Sequence, residues 1–426
     1  MSFTFSARPQ ARVRRALAIS AALAALSTPS IGAAQELSLS DALSRVASGD
    51  PVVAASAARV RAAEAAIAQA DVRPRDVVGV DVEDFAGTGP YSPIGRSQTT
   101  AWYERTWERG GQRQARIGAA RSELGVATER NRLRMLDLLA QVQTAWVEAL
   151  AAEAAVPIAE QRLAEAQRVE AEVDRRVGRA LDPLFAGERA RTAVAQARIA
   201  LGQARETARI ARAGLAAYWG GTADFRLDLA SFDTPGASAA RAEASPDLAL
   251  LAAERDAAGA RLRLAETANV GNPTARVGVR HFGDGNDVAL VVGGSIPLGS
   301  RSANRGNVLR AQADAQAAEA EIAVIRVQVA REIDRLVAER AAILTEIGRL
   351  DSEVLPSAER AVVLVRDGFR RGGTAFTFLE VSQAQQAVVD VRSRRVDLLR
   401  RFHLAGARLD RLTGRHAPLL SSAEIR

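Results

Sequence analysis

The chain has 426 residues, 48% of them hydrophobic but only 4% aromatic, and it contains no Cys. That excludes disulfides, thiolate metal sites and a cysteine nucleophile, and it suits long helices with thin apolar seams better than a thick globular core. All 57 basic residues are Arg, against 50 acidic residues, and the signs are interspersed as in AREIDRLVAER, a pattern of solvated helix faces that speaks against nucleic-acid binding.

Residues 1–34 read as a secretory signal peptide. Arg8, Arg12, Arg14 and Arg15 precede an apolar run from Ala16 to Leu26, and the small residues Gly32, Ala33 and Ala34 follow. Cleavage is expected after Ala34. Without those four arginines the chain carries 53 basic and 50 acidic residues, so the basic excess belongs mostly to the leader. No later stretch reaches the roughly 18 uninterrupted apolar residues of a membrane-spanning helix. The chain is expected to be exported.

The remainder repeats itself. Pro51 opens PVVAASAARVRAAEAA and Pro246 opens PDLALLAAERDAAGA, and the Ala-Ala pairs at 57–58 and 62–63 fall 195 positions before those at 252–253 and 257–258. Gly178 and Gly372 are 194 apart, and Pro157 and Pro356 are 199 apart. Two halves of one plan are predicted, 35–235 and 236–426, joined by the Pro/Gly/Ser-containing linker SFDTPGASAARAEASPD. Each half holds a helix (51–72 and 246–268), two strands, a very long helix, a turn and a returning helix.

The strands rest on period-two alternation. VVGVDVEDF sets Val78, Val80 and Val82 against Gly79, Asp81 and Glu83. QTTAWYERTWE, TARVGVRHF and DVALVVGGSIP supply three more, and GDGN at 283–286 has hairpin chemistry. Strands of about nine to eleven residues cross a bilayer when tilted. Four strands cannot close a barrel, and open edges are not tolerated in lipid. Either several chains contribute to one barrel, or the strands form a small solvent-facing sheet. The pattern leaves both open.

The long helices follow from composition. Gln112–Val156 and Arg301–Leu355 contain no Pro and few Gly, and strong helix formers dominate them. From 112 to 178 the arm reaches roughly 100 Å at 1.5 Å per residue. Pro157 and Pro356 are each expected to remove one hydrogen bond and bend their helices. Gly178 and Gly372–Gly373 mark the reversals, where Gly accepts positive φ.

No catalytic constellation emerges, and no cofactor is called for. GGSIP lacks the final Gly of a nucleophile elbow, and no HExxH or P-loop is present. His281 near Asp284 and Asp287 reads as a loop histidine rather than a metal ligand.

Five stretches in order resemble the outer-membrane efflux protein family, the TolC-like exit ducts, and in particular the outer-membrane components of heavy-metal pumps of the resistance-nodulation-division (RND) type. They are LSLSDALSRVASGDPVVAASAARVRAAEAAIAQADVRP, WERGGQRQARIGAARSEL, IPLGSRSANRGNVLRAQADAQAAEAEI, EVLPSAERAV and GFRRGGTAFTFLEVSQAQQ. The resemblance implies a mainly helical fold with a small β part. Three chains would form a homotrimer, with an α-helical tunnel through the periplasm and a twelve-stranded β-barrel in outer-membrane lipid of a Gram-negative cell. A periplasmic adaptor (membrane fusion) protein would dock at the tip, below which stands an inner-membrane pump.

The resemblance further implies that Gly178, Arg179 and Asp182, together with Arg370, Arg371, Gly372, Gly373 and Thr374, form the adaptor contact. The second turn, GGTAFTF, is about two residues longer than the usual family turn, and the first, VGRALDPL, about one shorter. Glu380 matches the position where the family narrows its tunnel entrance; the competing reading is a solvated helix residue. Trp102, Tyr103 and Trp107 are expected in the interfacial aromatic belt, against plain packing at the strand-to-helix junction. The alternatives to a metal duct are an exported periplasmic coiled-coil structural or adaptor protein, a duct for drugs or secreted protein, and an exported hydrolase.

Overall fold

The computed structural model describes residues 36–49, 51–91, 94–235, 245–371 and 376–423. The expected signal peptide, the linker segment 236–244 and the turn residues Gly372, Gly373 and Thr374 lie outside them. A two-residue strand β1 (Glu36–Leu37) leads into α1 (Leu39–Gly49) and α2 (Pro51–Ala70). Strands β2 (Val77–Glu83) and β3 (Gln98–Thr106) precede α3 (Gln112–Gly178), a single helix of 67 residues, and α4 (Leu184–Ala217) returns alongside it. Short β4 (Arg226–Leu227) and α5 (Leu229–Asp233) follow. The second half carries α6 (Pro246–Thr267), β5 (Thr274–Phe282), β6 (Val288–Ser295), α7 (Ser300–Arg349), α8 (Leu355–Arg370), α9 (Phe378–Thr413) and α10 (Ala417–Ala423). The fold is mainly helical with a small β part, as expected.

The four long strands form one antiparallel sheet in the order β2-β3-β5-β6. The central β3–β5 pairing joins the two halves, so neither half closes a sheet of its own. The main apolar core sits at mid-height along the arms. It gathers Leu139, Val142 and Trp146 of α3, Leu215 of α4, Ile343 and Ile347 of α7, and Leu398, Leu399 and Phe402 of α9. Leu43 and Val46 of α1 and Phe232 of α5 close it from outside. Fully burying side chains of this kind stabilises by about 1.5–3 kcal/mol each. Towards the far end the described residues form a thinner cluster: Val169, Val173, Ala186, Ala190, Phe369 and Val381.

The two matching prolines are accommodated differently. Helix α3 runs unbroken through Pro157. Before Pro356 the chain widens into a π-helical turn, Leu350–Val354, and the proline sits in the first turn of α8. A proline ring crowds the carbonyl four residues back, and a wider turn relieves that crowding. Arg395 of α9 holds this turn, reaching Asp351 at 2.9 Å and Asp233 of α5 at 2.7 Å.

The small elements around the core were not expected from periodicity. Helix α1 has a local signature all the same: Ser38 Oγ accepts from the Asp41 N–H at 3.2 Å, and the Asp41 carboxylate accepts from the Ser38 N–H at 3.3 Å, a capping box.

Two half-buried histidines sit in this region. His403 Nε2 donates to the Phe232 carbonyl at 2.8 Å, and its ring stacks on Phe232. Burial pushes its pKa below the ordinary 6.5. Burial does the same to His416, against the pull of Asp410 at 3.8 Å. At both histidines the lowered folded value means that, as the pH falls through 6.5 and below, the unfolded chain binds more protons than the folded one. Their contribution is therefore complete above pH 6.5 and lost as pH falls from there through the lowered folded values. Paired carboxylates such as Glu332, held low by Arg335, lose their contribution only below their ordinary 4.5. Thermal stability in detergent should thus begin to fall as the pH drops below about 6.5, and less so in His403→Gln. An unfolding temperature that stays flat below that pH would contradict this assignment.

Candidate functional site

Side chains of the sheet divide by register. Cross-strand partners share a face, so Val78, Val80 and Val82 lie with Ala101 and Tyr103, with Val277 and Val279, and with Val288, Leu290 and Val292. This face is apolar through its middle and uncovered, with Val78 80% exposed and Val292 73% exposed; Arg105 and the Thr99–His281 pair lie on it towards its two ends. The opposite face carries Asp81, Glu83, Gln98, Thr100, Glu104, Arg276 and Arg280. Its charges pair across the strands: Arg276 with Asp81, and Arg280 with Glu83 at 2.8 Å. An apolar outside with a polar inside is the pattern of a membrane barrel wall.

This division corrects the expected aromatic belt. Tyr103 lies on the apolar face, and Trp107 continues its side of the strand, 46% exposed beyond the strand end. Trp102 lies on the polar face. Its indole lies over Gly79, where a Cβ would come within 2.3 Å of the ring, and Arg276 stacks on it at 3.7 Å. Neighbouring residues in a strand point to opposite faces, so Trp102 and Tyr103 cannot share a lipid-facing belt. The alternation within QTTAWYERT already carries that distinction.

At the lower end of the sheet, α3 and α7 both start after a left-handed glycine, Gly111 (φ 75°) and Gly299 (φ 72°). The side-chain amide of Asn272 donates to Gln112 at 2.7 Å and its carbonyl accepts from the Arg109 N–H at 3.0 Å, which ties the β3-to-α3 crossing to the connection between α6 and β5.

At the far end, helix α3 closes in a Schellman motif. The Ala180 N–H donates to the Val177 carbonyl and the Leu181 N–H to the Arg176 carbonyl, each at 2.9 Å. The left-handed residue is Ala180 (φ 59°), not Gly178, which ends the helix with open space around it. The expectation that Gly178 supplies the positive φ is corrected accordingly. Arg179 is exposed, as are Arg370 and Arg371 at the end of α8. Asp182 is turned inward. It holds Arg176 at 2.8 and 3.1 Å, and Arg176 also donates to the Phe369 carbonyl at 2.7 Å and covers the Phe369 ring at 4.5 Å. Arg176 thereby ties the first turn to the second hairpin. Leu181, Leu184 and Phe185 stand 60–82% exposed at the same turn, an apolar patch the sequence reading passed over.

Glu380 lies in the first turn of α9. Its carboxylate accepts from the Thr377 N–H at 2.8 Å and from the Thr377 hydroxyl, while Thr377 caps the Leu379 N–H at 3.2 Å. These hydrogen bonds, that of the Thr377 side chain foremost, hold its pKa below the ordinary carboxylate value. The T-x-x-E spacing is the sequence signature of this capping box. Glu380 thus has a structural duty at the position assigned to the tunnel entrance. Among the described residues no His, Asp or Glu cluster could hold a metal ion, and His281 contacts Asn286 at 2.6 Å.

An alanine in the left-handed region is strained by about 1 kcal/mol relative to glycine. Ala180→Gly should therefore raise the unfolding midpoint of the detergent-solubilised protein. Gly178→Val should leave it nearly unchanged, because the helical backbone and open space at that position accept a side chain. The reverse order of effects would show that the turn is assigned to the wrong residue.

No family model matches the chain. It is 29% identical over 394 residues to the cobalt-zinc-cadmium resistance protein CzcC of Cupriavidus metallidurans, covering 90% of this chain and 91% of that protein. It is 30% identical over 335 residues to the nickel-cobalt-cadmium resistance protein NccC of Alcaligenes xylosoxydans xylosoxydans, covering 74% and 73%. Its fold matches the outer membrane protein VceC of Vibrio cholerae with a TM-score of 0.69 at 20% identity, over 88% of this chain and 96% of that one. A sheet with one uncovered apolar face, arms long enough to reach far from a membrane, and this likeness over most of the chain lead to one conclusion: the chain belongs to the TolC-like family of outer-membrane efflux proteins, among those of heavy-metal resistance.

Proposed function

We propose that this outer-membrane channel works as a homotrimer, the passive exit duct of a tripartite pump for divalent heavy-metal cations. The observation that carries the reading is the four-stranded sheet: its apolar face is exposed, and both outer strands, β2 and β6, have one unpaired edge. Such edges must be paired in lipid, and copies of the same chain supply matching strands. A soluble coiled-coil protein would have no use for a solvent-exposed row of Val and Leu. The names of the relatives, which cite cobalt, zinc, cadmium and nickel, support metal cations as cargo.

In this reading the polar face of the sheet lines the lumen and the long helices form the tunnel wall. The chain contains no Cys, only three His and only two Met, so it offers little to retain a soft cation in transit. Selection then belongs to the inner-membrane pump. The exposed turn at Arg179, with Leu181, Leu184 and Phe185 beside Arg370 and Arg371, is the surface offered to a periplasmic adaptor. Gly372, Gly373 and Thr374 belong to the same proposed contact.

Crosslinking of outer-membrane extracts should yield a trimer. A monomer in the soluble periplasmic fraction would refute the assembly. Val80→Arg, on the apolar face near mid-strand, should cost about 2–4 kcal/mol per chain in lipid and abolish insertion and metal resistance. Normal insertion of that variant would place the lipid face elsewhere.

A further inference from the structure

We infer that the barrel section of this duct has a charge-compensated lumen, in which Glu104 is the strand carboxylate left to act on passing ions and hence to set their selectivity. The inference rests on the trimeric-duct reading above.

The polar face holds two cations within its strands, Arg276 and Arg280, both on β5. Neither guanidinium is free. Arg280 reaches Glu83 at 2.8 Å, Thr100 Oγ1 at 2.9 Å and the Gln98 side-chain oxygen at 3.0 Å, which occupies all three of its nitrogens. Arg276 pairs with Asp81 and lies flat on the Trp102 indole at 3.7 Å. Both ties reach over β3, from β5 to β2. Trp102 can lie beneath one of them because Gly79 and Gly278, its neighbours on either side, present no Cβ. The indole is pressed onto the wall, the guanidinium covers it, and the carboxylate of Asp81 fixes the guanidinium. A close ion pair projects only a dipole field, which decays faster than that of a single charge and is screened further within a Debye length of about 8–10 Å.

Glu104 stands apart from this arrangement. It is opposite Arg276 in the β3–β5 register, yet Arg276 leans to Asp81 instead. Among the described residues, Glu104 has no ion pair and no hydrogen bond from its side chain. It is half-exposed on the polar face, close to the Thr106 end of β3 where the helices begin. Three copies place three carboxylates at one level, at the join of barrel and tunnel. A ring of like charge in a narrow section raises the local concentration of cations. The paired section beyond it then offers multivalent ions no cluster of free carboxylates to hold them.

The test is ion selectivity of the purified full-length protein in planar bilayers under a salt gradient. Glu104→Gln should lower the cation-to-anion permeability ratio, by roughly threefold or more for the loss of three like charges at one level. Asp81→Asn with Glu83→Gln should turn the preference towards anions by freeing both guanidiniums. Arg276→Gln with Arg280→Gln should do the opposite and introduce block by cobalt ions on the cation side. Conducting variants whose permeability ratios all stay within twofold of the unsubstituted protein overturn the inference and leave the duct reading standing. An unsubstituted protein that is monomeric by crosslinking and passes no current overturns both.

Discussion

An unpaired backbone N–H or C=O in hydrocarbon costs several kcal/mol, and both outer strands of this sheet carry a row of them. Nearly everything else in the molecule is arranged around that constraint. The chain builds four strands with one face apolar, and under the proposed function closure is left to other copies. The two halves contribute one hairpin each, and the β3–β5 pairing makes them inseparable. The glycine-initiated starts of α3 and α7 then redirect the chain from sheet to arm at two equivalent places.

The arms face a different difficulty. Helices this long in a chain with 4% aromatic residues cannot be packed around one thick core. The structure concentrates burial at mid-height, where α1, α5 and the C-terminal part of α9 wrap the arms, and thins towards the far turn. Arginines tie separate elements together, both beside the core and at the thin end. Arg395 gathers the π turn and α5, and Arg411 bridges Asp137 and Asp247 from different helices. Arg176 ties the two hairpins at the thin end. Exposed pairs contribute little individually. These three are half-buried and join separate elements, so they act on geometry more than on total stability.

That division of labour bears on transport. A duct needs a wall that is stiff where it crosses lipid and a mouth that can meet a partner. The sheet is held by cross-strand ion pairs and an indole laid flat against glycine. The turn at Ala180 is held by two backbone hydrogen bonds and one arginine, with apolar side chains left in the open. Glu380, at the start of α9, keeps its helix end in order instead of standing free.

The sequence by itself determined the kinds and order of the long elements. Alternation in VVGVDVEDF and TARVGVRHF is enough for strands, the absence of breakers after Gln112 and Arg301 is enough for arms, and S-x-x-D and T-x-x-E carry the capping boxes of α1 and α9. Alternation also separates Trp102 from Tyr103, because that depends only on neighbours in the chain. Tertiary structure alone decided the rest. Which carboxylate Arg276 takes depends on the register of segments 195 residues apart, and Arg176 finds its carbonyl 193 residues away. The small helices around the core follow from the space left between the arms. The turn became left-handed at Ala180, two residues past the glycine, because the last turn of α3 fixes where its final carbonyls point, and the backbone must answer them there.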